Sequence, residues 1–212
     1  MIHSNLNNIL VLAPHTDDGE LGAGGTISYL IENKANVYYA AFSTAKESVP
    51  DGLPKDILKT EVLNATKQLG IKEDNLIIFD YQVRKLNYFR QEILEDLIKV
   101  RNSIHFDLIL MPSLNDIHQD HLTVSQEGLR AFKTISILGY ELIWNNLTFN
   151  TTCFVRLTEN QLLNKIRALQ RYESQKGRDY ITPEFIRSLA TARGVQIGAK
   201  YAEAFEVIRW VI

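Results

Sequence analysis

Asn8-Ile9-Leu10-Val11-Leu12-Ala13 runs without a polar interruption from Ile9 onward and stops at Pro14-His15-Thr16-Asp17-Asp18-Gly19-Glu20. An apolar run of this length, with no alternation, fits a β-strand covered on both faces, as in parallel sheets. Residues 22–34 follow with Ile27, Leu30 and Ile31 at helical spacing, and 37–42 reads as a second strand. Over 56–69, Ile57, Leu58, Val62, Ala65 and Leu69 share one helical face, and Gly70 stops that helix. A strand at 76–79, a helix at 90–102, a strand at 107–111 and a helix at 120–132 continue the rhythm. The alternation predicts an α/β fold: three-layer, Rossmann-like, with a mostly parallel sheet and helices on both faces.

Beyond residue 134 the pattern predicts strands over 135–142 and 149–157, a helix over 159–172 and a closing strand over 205–212. No repeat, low-complexity tract or Pro/Gly/Ser-rich linker divides the chain, so 1–212 reads as a single domain. The segment 43–55, with Pro50, Gly52 and Pro54, is the longest breaker-rich loop and a candidate active-site lid.

The 212 residues suffice to bury a core without disulfides. The one cysteine, Cys153, lies in the apolar run Thr-Thr-Cys-Phe-Val and reads as a packed small hydrophobe. A net charge of −2 offers no basic field for nucleic acid or anionic lipid. The N-terminus lacks the basic and apolar regions of a signal peptide, and no apolar run approaches the ~20 residues that span a bilayer. These features predict a soluble, cytoplasmic protein.

Three of the five histidines fall in two short segments, Pro14–Glu20 and His118-Gln119-Asp120-His121. Both follow predicted parallel strands, at the carboxyl ends where open α/β sheets build their sites. Zinc accepts imidazole nitrogen and carboxylate oxygen, and a catalytic zinc has three protein ligands and one open position. His15 and Asp18 would supply two ligands, and a histidine of the second segment the third. Asp17 cannot easily point the same way as Asp18, which leaves it free to act as a base on water at the metal. Against this stands a plainer option, in which the paired aspartates cap a helix. Gly22-Ala-Gly24-Gly25 lacks the spacing of a dinucleotide fingerprint, and reads as close helix–sheet packing.

From Leu12 through Asp18, in Leu21-Gly-Ala-Gly-Gly-Thr-Ile27, and again in His118–His121, the chain resembles the PIG-L/LmbE-like deacetylases. The resemblance extends to 61–70, to 107–113 and to Tyr201-Ala-Glu-Ala-Phe205. It implies a zinc-dependent N-deacetylase of a small amino-sugar derivative, with His15, Asp18 and His121 as metal ligands. It further implies Asp17 as general base, His118 as support for the tetrahedral intermediate or as acid, and Asp120 as the residue orienting a ligand histidine. Other divalent ions, such as Fe²⁺ or Co²⁺, would suit the same ligands, and trimers or hexamers are implied as assemblies. Thr16 and Gln119 stand where the family has proline. Gly19 stands where it commonly has glutamate, with Glu20 one position later to reach the same space.

A sugar needs hydrogen-bonding and stacking partners, and Glu47, Arg84, Trp144, Asn145, Tyr172 and Arg178 are the candidates. Two other functions remain open on the residues alone. A mononuclear non-haem iron oxygenase uses two histidines and one carboxylate. A sugar- or nucleotide-binding protein without catalysis would have little use for Asp17.

Overall fold

The computed structural model describes residues 6–211. Residues 1–5, which carry most of the N-terminal reading, and Ile212 lie outside the described residues. The chain runs β1 (Asn8–His15), α1 (Asp18–Glu32), β2 (Asn36–Ser43), α2 (Ile57–Leu69), β3 (Leu76–Ile78), α3 (Arg90–Ser103) and β4 (Leu108–Pro112). It continues through α4 (Gln119–Ala131), β5 (Ser136–Tyr140), β6 (Cys153–Leu157), α5 (Glu159–Leu169), α6 (Pro183–Val195) and β7 (Tyr201–Arg209).

The sheet order is β3-β2-β1-β4-β5-β7-β6. All pairs from β3 to β5 are parallel, and β7 is antiparallel to both its neighbours. The predicted α/β class is therefore the observed one. Ile9 to Ala13 in β1 are wholly buried because helices cover both faces. One core holds Ile9, Val11 and Ala13 with Ile27 of α1, Val62 of α2 and Leu162 of α5, and the other holds Leu10 and Leu12 with Leu97 of α3 and Val124 of α4. Among the described residues, no helix is long and apolar enough to cross a membrane.

The chain departs from the pattern reading in β6, which begins at Cys153 and not at 149, and at three further places. First, α1 begins at Asp18, not at 22, so Asp18 and Glu20 sit on its first turn, where the helix dipole favours carboxylates. Second, β7 begins at Tyr201, four residues before the predicted strand. Its buried Glu203 and Glu206 break the apolar pattern, but both are satisfied. Glu203 accepts from the Gly25 and Thr26 amides and pairs with Lys165, and Glu206 accepts from Ser113, Asn115 and the Asn150 amide. Third, α6 was not anticipated, although Thr182 caps it through the Phe185 amide and Pro183 opens it. Cys153 is partly buried against the first core, as a small hydrophobe would be.

The glycine-rich stretch of α1 sets the helix–sheet distance. A Cβ on Gly22 would lie 2.2 Å from the ring of Tyr140. That ring is fully buried, and its hydroxyl donates to the Leu12 carbonyl at 2.9 Å, so it has nowhere to move. Gly22→Ala gains about 1 kcal/mol of helix propensity. Overpacking costs about 1–3 kcal/mol and, at so short a contact, its upper end should win. The expected result is a lower midpoint of urea unfolding, and an unchanged or raised midpoint would show that this contact does not set the spacing.

Candidate active site

β1 lies between β2 and β4 at the centre of the sheet, and the chain leaves β1 toward β2. The crevice between the ends of β1 and β4 is thus a topological switch point, where ligands of such sheets bind. His15 ends β1, Asp17 and Asp18 begin α1, and His118 sits at the N-cap of α4 with His121 on its first turn. The two segments converge: His15 Nδ1 lies 3.1 Å and His121 Nε2 3.2 Å from Asp18 Oδ2, and the two nitrogens are 3.2 Å apart.

A tetrahedral ion with bonds of ~2.1 Å needs donors about 3.4 Å apart, so this triangle fits one with little adjustment. The remaining ring nitrogens point correctly as well. His15 Nε2 meets Asp120 Oδ2 at 3.0 Å and His121 Nδ1 meets Asp116 Oδ2 at 2.7 Å. Donation to these carboxylates leaves the facing nitrogens with free lone pairs. Asp120 is itself fixed by the amides of Arg84 (2.6 Å) and Leu86 (3.2 Å). Asp116 also accepts from the His118 amide at 2.8 Å. Asp116 was missed from the sequence, where no spacing marks it.

His15, His118 and His121 also lie within 4.8 Å of one another and could form a different ligand trio. The surroundings of His118 oppose that. Its Nδ1 accepts from the Asp120 amide at 3.2 Å as the cap of α4, so the neutral ring carries its hydrogen on Nε2 and has no lone pair to give there.

The electrostatics divide the group. Burial disfavours charge on His15 and His121, yet Asp18, with Asp120 and Asp116, raises them to about 9 and about 10. Burial also works against ionised Asp18, but the two imidazoles hold it well below the carboxylate range. The site thus draws positive charge, which a bound cation would supply in place of protons. Asp17 is pushed the other way, up to about 6, by burial and by the charge of Asp18. His118 is lowered to about 4 by burial and by its two histidine neighbours, so it is neutral at pH 7. Although Asp17 holds the N-cap position of α1, its side chain makes no capping hydrogen bond. The capping alternative therefore finds no support.

Glu20 lies beneath the site, wholly buried, bonded to the hydroxyls of Tyr39 and Tyr172. Both hydroxyls also meet the Thr16 carbonyl, at 2.9 and 2.7 Å, so the network braces the turn that carries the aspartates. Burial raises the Glu20 carboxyl to about 8.

An open cleft of about 310 Å³ lies over the triangle. Of the substrate candidates, Arg84, Trp144, Asn145 and Arg178 line it. Two do not. Tyr172 is buried under the floor with its hydroxyl committed to Glu20 and Thr16, and Glu47 borders a separate depression with Lys46 and Asp80. Ala45 and Ser48, from the breaker-rich loop, line the cleft, as do Gln175 and Tyr180, which the sequence reading missed. Tyr180 stacks on Trp144 at 4.3 Å between ring centroids.

A doubly wound sheet with two histidines and an aspartate converging at its switch point, and a further carboxylate beside them, has donors that could hold a metal ion and a group that could act as a base. The GlcNAc-PI de-N-acetylase family, PIG-L, matches residues 10–132, and the chain belongs to this family. It is 32% identical over 171 residues to the uncharacterized deacetylase YaiS of Escherichia coli (strain K12), covering 78% of this chain and 90% of that protein. It is 24% identical over 230 residues to diacetylchitobiose deacetylase of Thermococcus kodakarensis, covering 97% and 84%. In fold it superposes on N,N'-diacetylchitobiose deacetylase from Pyrococcus horikoshii with a TM-score of 0.81, at 22% identity, covering 96% and 84%. The protein is thus an amidohydrolase of the deacetylase type, and the oxygenase and binding-protein alternatives lose their footing.

Proposed function

We propose that this protein hydrolyses the N-acyl amide, most simply an N-acetyl group, of a small amino-sugar derivative, using zinc held by His15, Asp18 and His121. Fe²⁺ or Co²⁺ would suit the same donors, and 1–212 would act as one catalytic unit. When bound, the ion supplies Lewis acidity, which polarises an amide carbonyl and acidifies water. Asp17 then takes the proton of the attacking water, a task suited to a buried carboxylate whose affinity for protons is raised toward neutrality. His118 presents Nε2–H to the oxygen that becomes negative as the tetrahedral intermediate forms. The proton collected by Asp17 is available to the departing amine. Asp120 and Asp116 hold the two histidines in register, and Glu20 braces the turn from below. Trp144, with Tyr180 stacked on it, offers an apolar face to the sugar ring.

The observation that carries this reading is Asp17, buried at the cleft floor beside the ligand triangle and serving no structural cap. The test is release of free amine and acetate from a panel of N-acetyl amino sugars, before and after chelation and after readdition of zinc. Release that chelation abolishes and zinc restores is expected. No release from the whole panel by protein with one metal bound would overturn the reading.

His118→Ala is expected to keep its metal and lose about 10²–10³-fold in turnover, the effect of removing one oxyanion donor, with a smaller change in KM. Backbone capping of α4 by another group, or by water, should preserve the fold at a cost of about 1 kcal/mol. Metal content and steady-state kinetics on one preparation check this, and loss of metal would mark His118 as a ligand.

A further inference from the structure

Gln175, Arg178 and Tyr180 line the cleft from a segment, 173–181, whose only regular structure is a pair of short 3₁₀ turns, Glu173–Gln175 and Asp179–Ile181. Lys176, Gly177, Arg178 and Asp179 are exposed, so little packing holds the middle of the segment. Among the described residues, only Ser174 ties it by hydrogen bonds to another element. The Ser174 amide donates to Glu61 Oε1 at 3.0 Å, and its hydroxyl donates to Glu61 Oε2 at 2.5 Å. The other hydrogen bonds of 173–181 stay within 172–182. Glu61 stands on α2 and is buried, as is Ser174. Its two oxygens meet Ser174 rather than a cation. A buried carboxylate is costly, and an apolar side chain would join α2 to a loop at lower cost. What the carboxylate adds is a grip at two points, which sets both the position and the direction of the chain at Ser174. Just before Ser174, Tyr172 is bonded to Glu20 and to the Thr16 carbonyl under the metal triangle. Further along, Tyr180 stacks on Trp144. Glu61 thus grips the chain between its anchor below the site and the side chains that face the cleft.

We propose that Glu61 is a positioning residue for substrate binding, which by gripping Ser174 holds Gln175, Arg178 and Tyr180 over the cleft before substrate arrives. This rests on the deacetylase reading above and adds to it the contact that preorganises one wall of the cleft. The experiment uses the full chain loaded with zinc, and the methyl glycoside of N-acetylglucosamine as probe. In Glu61→Ala, KM is expected to rise about 10-fold, the scale on which a few side chains left to be ordered weaken binding. The value of kcat should change little, because Tyr172 keeps its own bonds beneath the aspartates. The chain has two tryptophans, so a Trp210→Phe background isolates the fluorescence of Trp144. Acrylamide quenching of Trp144 should increase in Glu61→Ala, as Tyr180 loosens against it. Glu61→Gln should restore both readouts, since its amide can accept the Ser174 N–H and donate to the hydroxyl oxygen. Ser174→Ala leaves α2 intact and should move both readouts the same way by a smaller amount. Should Glu61→Ala not fold, Ser174→Ala decides in its place. A merely structural bond would lower Tm and leave KM and quenching, measured well below Tm, at wild-type values. That result would overturn the proposal, as would a fall in kcat as large as the fall in kcat/KM. If the wild type hydrolyses no probe, the deacetylase reading fails separately and quenching decides. An increase in Glu61→Ala and Ser174→Ala that is absent from Glu61→Gln would sustain the clamp, and no increase would end it.

Discussion

Asp17→Asn is expected to fold, bind its metal and hydrolyse its amide about 10²–10⁴-fold more slowly, the usual contribution of a positioned base. That is about 3–5 kcal/mol of transition-state stabilisation. The substitution is close to isosteric, and Asp17 makes no side-chain cap for α1 to lose. Stability of the metal-free protein should not fall. The folded protein holds the Asp17 proton more tightly than the unfolded chain does, because burial and the Asp18 charge raise its pKa from 3.8 to about 6. Ionised Asp17 therefore costs stability, a cost that grows as pH rises between those values and persists above them. Asparagine removes that cost at neutral pH. The combination of unchanged or higher Tm, full metal occupancy and nearly absent turnover would mark a base and nothing else. Near-normal turnover with metal bound would show that Asp17 is not the base.

The fold was legible where burial is symmetric. β1 and β4 are covered on both faces and so read as unbroken apolar runs, and α2 advertises its end with Gly70, whose φ of 94° few other residues tolerate. The start of α1 was not legible, because its first turn, Asp18-Gly19-Glu20, carries no apolar period, and its carboxylates suit the helix dipole instead. β7 hid its first half behind Glu203 and Glu206, whose burial is compensated by partners from α1, α5 and the loop after β4. No local pattern announces such partners. The site followed the same logic. Residues bunched in sequence, His15 to Asp18 and His118 to His121, could be found from their density. Asp116 could not, since what distinguishes it is a bond of 2.7 Å to His121 that only the folded loop creates. Glu47 and Tyr172 failed for the converse reason. Residue type alone cannot tell that a tyrosine hydroxyl is committed to a buried carboxyl, or that a loop glutamate faces its own depression.

Asp18→Asn should behave in the opposite sense to its neighbour. Asp18 Oδ2 faces both histidine nitrogens and accepts the His15 amide at 2.8 Å, so it is the only anionic vertex of the triangle. An amide oxygen could keep the backbone bond but would offer zinc a neutral, weaker donor. Losing a residue that merely orients a ligand costs about 10–100-fold in metal affinity, so losing the charged ligand should cost at least the upper end of that range. Hydrolysis should vanish at metal concentrations that saturate the wild type. The folded-state pKa of Asp18 is depressed by the imidazoles despite burial. Its ionised form therefore contributes stability above the unfolded carboxylate value, and loses it as pH falls below. Metal-free Asp18→Asn should accordingly unfold at a lower temperature than wild type at neutral pH, while metal-free Asp17→Asn does not. Added zinc at 100 times its Kd should stabilise the wild type by about 2.7 kcal/mol and leave Asp18→Asn nearly unmoved. The measurements are metal stoichiometry after dialysis and thermal unfolding with and without zinc. If Asp18→Asn kept its metal while His118→Ala lost it, the ion would belong to His15, His118 and His121, and Asp18 would become the candidate base.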